Sequence, residues 1–236
     1  MLAGLISYAL LAALATALLF AAVTDLRRRE IDNWLNLAIA VTAPLYWLAA
    51  GLDWVAVLFQ LMLALLTFMF ACALFAMRQM GGGDVKLLSA LALWFVPGNF
   101  VQLIIIMGVL GGAASIAMGV FNMRRLPGEA LRDGVSTFVA ALWVLGACTI
   151  AYAAATGQPV LTGDAANRVL ATLPNGWPLA ALGIALLALI AVGMGHIFRR
   201  QRGAIPIPYG VAISAAGLWV LAQNTMAGPI LSVLKG

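Results

Sequence analysis

Residues 2–30 read LAGLISYALLAALATALLFAAVTDLRRRE. The first 24 positions carry no charge; Asp25 then closes the run, and Arg27, Arg28 and Arg29 follow it. About 20 consecutive apolar residues, coiled as a helix, cross a hydrocarbon core about 30 Å thick. No basic segment precedes the run, as it does in a cleaved signal peptide, so this stretch reads as a first true membrane span. Further apolar runs fall at 34–50, 55–77, 85–96, 100–122, 135–155, 178–198 and 208–222, separated by charges or turn residues. They read as helices, because every backbone polar group in lipid must be satisfied within its own segment. The run 85–96 is short: twelve residues rise about 18 Å, so it is either a half-span or it continues with a kink at Pro97.

Composition agrees with this reading. Of the 236 residues, 64% are hydrophobic and 9% charged, and the mean hydropathy is +1.06. A soluble globular domain carries about 25% charged residues, and a disordered chain has low hydrophobicity and high charge. The alternation in ten-residue segments that marks a transmembrane β-barrel is absent. The expected fold is therefore all-α: a polytopic helical membrane protein of about eight transmembrane segments, forming one domain over 1–236. Lysine and arginine positions orient it. With the N-terminus outside and every run crossing, the inner segments hold Arg27, Arg28, Arg29, Arg78, Lys86, Arg124, Arg125, Arg132, Arg199, Arg200 and Arg202, and the outer ones only Arg168 and Lys235. The stretch 156–177 is then the one sizeable outer loop. The net charge of +5 sits in clusters at span ends, which is not a nucleic-acid signature. Cys72 and Cys148 lie inside apolar runs and form neither a disulfide framework nor a zinc site. Gly108 and Gly112 have the spacing that lets two membrane helices approach.

The eight acidic residues carry the functional information, because carboxylates near lipid are costly. Glu129 and Asp133 sit with Arg124, Arg125 and Arg132 and read as a solvated loop. Asp164 falls in the outer loop, Asp53 reads as a helix cap beside Trp54, and Glu30 and Asp32 balance the arginines. Asp25 and Asp84 stand apart, each at the inner boundary of an apolar run, on helices that can be neighbours. Taken singly, Asp25 can pair with an arginine, and Asp84 can cap the helix that follows it. Taken together, two carboxylates that share a site hold one proton between them. The ionised member can deprotonate a water that attacks a peptide carbonyl, while the protonated one polarises that carbonyl and later protonates the leaving amine. Gly81, Gly82 and Gly83, just before Asp84, allow an extended backbone to come close or permit a positive φ, so a side chain at Gly82 is expected to interfere. The single histidine, His196, lies at a helix C-terminus, where histidines commonly interact with the last turn. With one histidine and no clustered cysteines, no metal site and no cofactor are expected.

Two stretches carry a resemblance to a known family. Asp25 to Leu35 (DLRRREIDNWL) and Gly81 to Leu88 (GGGDVKLL) resemble the two active-site motifs of type IV prepilin peptidases, membrane aspartic proteases of the GxGD kind. Ile205 to Ile213 (IPIPYGVAI) is similar to the family's C-terminal segment before its last helix. The resemblance implies that Asp25 and Asp84 are the catalytic pair, and that Gly81, Gly82, Gly83, Lys86 and Asn33 form the active-site loop that meets substrate. It implies a prepilin or pseudopilin substrate with a basic leader and a hydrophobic helix, cut at the cytoplasmic face of a bacterial inner membrane. The short link between the first two runs, which has no cysteine, is most like the enzymes of Tad/Flp-type pili. Longer members carry there a cysteine-bearing insertion that goes with methylation of the new pilin N-terminus. One departure stands out: the first motif usually has proline before its asparagine, and here Asp32 takes that place. Presenilin-type proteases are a poorer likeness, since their YD and GLGD contexts are missing. Two other classes compete, a transporter using the aspartates as a relay and a non-catalytic assembly scaffold. A relay places carboxylates nearer mid-membrane, and a scaffold needs neither aspartate.

Overall fold

The computed structural model describes residues 2–158, 163–164, 177–203 and 209–234. These contain eight helices: α1 (Leu2–Arg28), α2 (Asn33–Ala50), α3 (Trp54–Ala76), α4 (Gly82–Ala92), α5 (Pro97–Phe121), α6 (Ala130–Thr156), α7 (Trp177–Arg199) and α8 (Tyr209–Leu234). Most of the expected outer loop and residues 205–208 of the C-terminal segment lie outside the described residues. The protein is an all-α polytopic membrane protein. Five helices are long and apolar enough to cross a bilayer: α1, α3, α5, α6 and α7. Their outward faces are apolar, with Trp54, Phe121 and Leu131 more than three-quarters exposed, an arrangement suited to lipid rather than water.

The chain divides into two compact units, Met1–Gly108 with Pro208–Gly236, and Val109–Ile207. In the first unit α4 is the centre, packed by α2, α3 and α8, while α1 packs on α2 and α8. Asp84, Val85, Leu87, Leu88, Ala90, Leu91 and Ala92 of α4 are all buried. Burial explains how a helix of only eleven residues persists. Such a helix rises only about 16 Å, so the apolar run 85–96 makes no crossing as one helix. The run is divided between two helices: α4 ends at Ala92, a turn follows, and Pro97 opens α5, at the position where a missing N–H costs nothing. The carbonyls freed at the end of α4 need donors. The Trp47 indole N–H and the Gln60 amide supply them, reaching the Leu93 carbonyl at 2.8 and 3.3 Å, and the Trp94 indole donates to the Ile39 carbonyl at 2.8 Å. Gly217 lets α8 close on this core, since a Cβ there would lie 3.0 Å from Leu18. Asp53 caps α3 as expected, its Oδ1 accepting from the Ala56 N–H at 2.8 Å.

In the second unit α6 packs on α7. Gly193 brings them close: a Cβ there would meet Val139 at 3.2 Å. Met123, Ala140 and Ile197 form a small core. The Gln201 side chain ties this end together, donating to the carbonyls of Gly119 and Ile197 at 2.9 and 2.8 Å. By contrast, Gly108 and Gly112 have open space where a Cβ would stand, so among the described residues that spacing serves no close approach. Cys72 and Cys148 are free thiols, and Cys148 is exposed rather than packed against another helix.

Candidate active site

The end of α1 is set by Arg29, which takes the left-handed conformation at φ 59° while its N–H closes on the Asp25 carbonyl at 2.9 Å. Asp25 therefore lies in the last turn of α1, and its side chain is 6% exposed. Its carboxylate meets the first turn of α8: Oδ2 accepts from the Val211 N–H at 3.1 Å, and the Gly210 N–H also faces it. Donors from a helix N-terminus, whose partial charge is positive, are what a buried carboxylate requires. A side chain at Gly210 would force its neighbours to move. A Cβ there would stand 2.7 Å from Ile31 Cδ1 and 2.8 Å from Asp25 Oδ2.

Asp84 occupies the first turn of α4, outside the five long spans, and is 9% exposed. Gly81 caps this helix, and the Asp84 carboxylate reaches back to the Gly81 N–H. This is the returning half of a capping box, in which the third helical residue satisfies the cap's own N–H. Asp84 is thus not the cap itself, as the sequence alone allowed. None of the three glycines has a positive φ, so their value lies in space. A Cβ at Gly83 would press the Ile31 backbone and Cβ, the nearest contact at 3.2 Å. A Cβ at Gly82 would make only ordinary contact with Phe75 at 3.5 Å, so within the fold itself Gly83 is the tighter position.

Burial first, and then the charge of Asp25, push the Asp84 carboxyl up to about 6. The Asp25 charge is the second of these causes, so the two carboxylates lie within electrostatic reach of one another. The raised value has a consequence for stability. Below the unfolded pKa of about 3.8 the group is neutral in both states and costs nothing. As pH rises through 6 the folded protein must hold a buried charge, and the cost reaches about 3 kcal/mol. Asp84→Asn should therefore unfold at a higher temperature than wild type at pH 8, with the gain gone by pH 4. Melting curves in one detergent at both pH values check this, and a gain that does not depend on pH would contradict it.

Of the other residues expected here, Lys86 and Asn33 come together, the ammonium donating to Asn33 Oδ1 at 2.7 Å on the exposed rim. Asp32 caps α2 with φ −61° and ψ 136° and makes no side-chain cap bond. Proline holds φ near −65°, so aspartate in proline's usual place keeps the same backbone shape. Sequence reading gave no role to Gly210, Val211, Ile31 or Asn36. Asn36 is buried and donates to the Gly83 carbonyl at 3.4 Å, while its Oδ1 has no partner among the described residues. The available signal was a second asparagine inside the apolar run of α2.

A separate polar cluster lies in the second unit. Asp133 is buried in α6, not in a solvated loop, and bonds His196 of α7 at 2.7 Å. Arg200 bonds Glu129 at 2.6 Å. Glu129, Asp133 and His196 place three potential metal-ligand atoms within 4.8 Å of one another, but each of the two carboxylates already faces a basic side chain. As found, the cluster fastens α6 to the end of α7, and His196 serves Asp133 rather than its own helix end.

Residues 12–116 match the sequence model of the type IV leader peptidase family. That segment carries both Asp25 and Asp84, and the match agrees with the resemblance of the two motifs. No curated protein and no solved structure matches the chain.

Proposed function

We propose that the protein is an aspartic leader peptidase that cuts prepilins, with Asp25 and Asp84 as its catalytic pair. The observation that supports this reading is that two buried carboxylates, at the end of α1 and the start of α4, lie within electrostatic reach of one another, inside a segment that matches the leader-peptidase family. In this reading Asp84, with its pKa raised to about 6, holds the proton of the pair below that pH. Asp25, which receives the N–H groups at the start of α8, is the ionised member. The chemistry follows from these protonation states. Asp25 takes a proton from a water whose oxygen bonds to the scissile carbonyl carbon, and Asp84 gives its proton to the carbonyl oxygen. Collapse of the tetrahedral species breaks the C–N bond as the proton now on Asp25 passes to the leaving nitrogen. Asp84 recovers its proton from the collapsing hydroxyl.

The substrate of this reading is a prepilin or pseudopilin with a basic leader ahead of a hydrophobic helix. In this reading the helix lies in the bilayer and presents the leader junction at the cytoplasmic face, the side that the arginines following Asp25 favour. The short link between α1 and α2 suits a Tad/Flp-type enzyme that leaves the new pilin N-terminus unmethylated. Co-expression with a candidate prepilin tests the proposal. Loss of the leader, seen as a mobility shift that needs this protein, supports it, and unprocessed prepilin beside well-folded protein argues against it.

A further inference from the structure

The unit Val109–Ile207 lies almost wholly outside the segment matched to the peptidase family, and the proposed cleavage uses none of its side chains. Between α6 and α7 it holds a partly open cavity of about 710 Å³, within the range of small-ligand sites. Its walls have two characters. One part is apolar and faces outward, with Leu131 83% and Val192 71% exposed. The other is cationic and polar, formed by Arg132, Arg199, Arg200 and His196.

The two carboxylates nearest this basic end do not neutralise all of it. Asp133 is engaged by His196, and Glu129 by Nη2 of Arg200. Arg132 and Arg199 have no carboxylate partner among the described residues. The Nη1 atom of Arg200 is buried with no acceptor, a costly state for a charged donor. A groove lined by guanidinium groups at one end and by lipid-facing aliphatic side chains along its length matches a molecule with an anionic head and an acyl tail. Both helices are long and apolar enough to span the membrane, which sets the basic end of the groove at the depth of lipid headgroups.

We propose that this groove is a binding site for an anionic phospholipid, with the phosphate held by Arg132, Arg199 and Nη1 of Arg200, which has no acceptor among the described residues, and an acyl chain along Val135, Leu189 and Val192. Arginine forks suit phosphate because they offer two parallel donors, and basic pockets between membrane helices are recognised sites for acidic lipid heads. The ion pairs of Glu129 and Asp133 have a part in this arrangement, since they hold α6 and α7 at the spacing that leaves the groove open.

The test uses the whole protein, purified in an uncharged detergent and titrated with phosphatidylglycerol or phosphatidylcholine, with bound lipid counted by native mass spectrometry. Phosphatidylglycerol is expected to bind saturably and phosphatidylcholine weakly. The double variant Arg132→Gln/Arg199→Gln should bind phosphatidylglycerol roughly thirtyfold more weakly, from the loss of two cationic contacts. Val192→Trp, at an exposed wall position, should weaken the same lipid without changing any charge, so the proposal stays testable if the double variant does not fold. Equal retention of the two lipids overturns the proposal, and so does unchanged phosphatidylglycerol binding in the variants. Displacement of the lipid by millimolar inorganic phosphate, with phosphate alone protecting the protein against heat, would assign the site to the free ion and overturn it as well.

Discussion

Asp25→Asn and Asp84→Asn should each abolish leader cleavage, and the double variant should be no slower than either single one. Asparagine keeps the volume of aspartate and one acceptor oxygen, so the Val211 N–H bond to position 25 and the Gly81 N–H bond to position 84 can both persist. What asparagine cannot do is take or give a proton at working pH. In the proposed reaction one carboxylate activates the water while the other protonates the carbonyl oxygen, so losing either stops the same step. Effects of groups that act as a unit do not add. The controls are Asp53→Asn and Asp133→Asn. Asp53 caps α3 and Asp133 pairs with His196, so each change should alter stability and leave cleavage by the folded fraction near normal. A cleavage assay in detergent, scored against the amount of folded protein, decides between these outcomes.

Gly210→Ala should be the next most damaging change, lowering the cleavage rate on the order of a hundredfold while the protein still folds. The added methyl would fall 2.8 Å from Asp25 Oδ2 and 2.7 Å from Ile31 Cδ1. Both atoms are ends of side chains and can move aside, so the helix start survives. The atom that moves, however, is the proposed base. A misplacement of about 1 Å costs on the order of a hundredfold in rate when the reacting geometry is tight. Gly82→Ala provides the contrast, since a Cβ there meets only the Phe75 ring at 3.5 Å and should leave Asp25 in place, so any loss of rate should be smaller. Equal effects at 82 and 210 would show that glycine matters here for chain flexibility rather than for the space beside Asp25.

How far the site could be read from sequence depended on whether its parts are local. Asp25 and Asp84 could be singled out because a carboxylate at the edge of an apolar run is costly, and because each stands in a contiguous motif. The bond from Val211 to Asp25 spans 186 positions, and no periodicity reports such a contact; the segment around Gly210 could be seen as a motif but not assigned a partner. The glycines show a limit of another kind. Three in a row suggest unusual backbone angles, but the folded chain uses ordinary ones, and the constraint comes from Ile31 pressing on Gly83. The end of α4 was hidden because hydropathy continues to Val96, whereas the helix stops where Trp47 and Gln60 take up its last carbonyl groups. Asp133 was misplaced for the opposite reason. Its arginine neighbours in sequence suggested water, while the partner that permits its burial, His196, is 63 positions away.

The most direct measurement of the central claim is a purified two-component reaction. The protein and one prepilin, in detergent with no other protein present, would be incubated and the products weighed by intact mass. The account predicts two fragments from a single cut between the basic leader and the hydrophobic helix, one water added across the broken bond, and no product from Asp84→Asn protein of equal fold. A prepilin left whole by the wild-type protein, or cut as fast by Asp84→Asn, would contradict it.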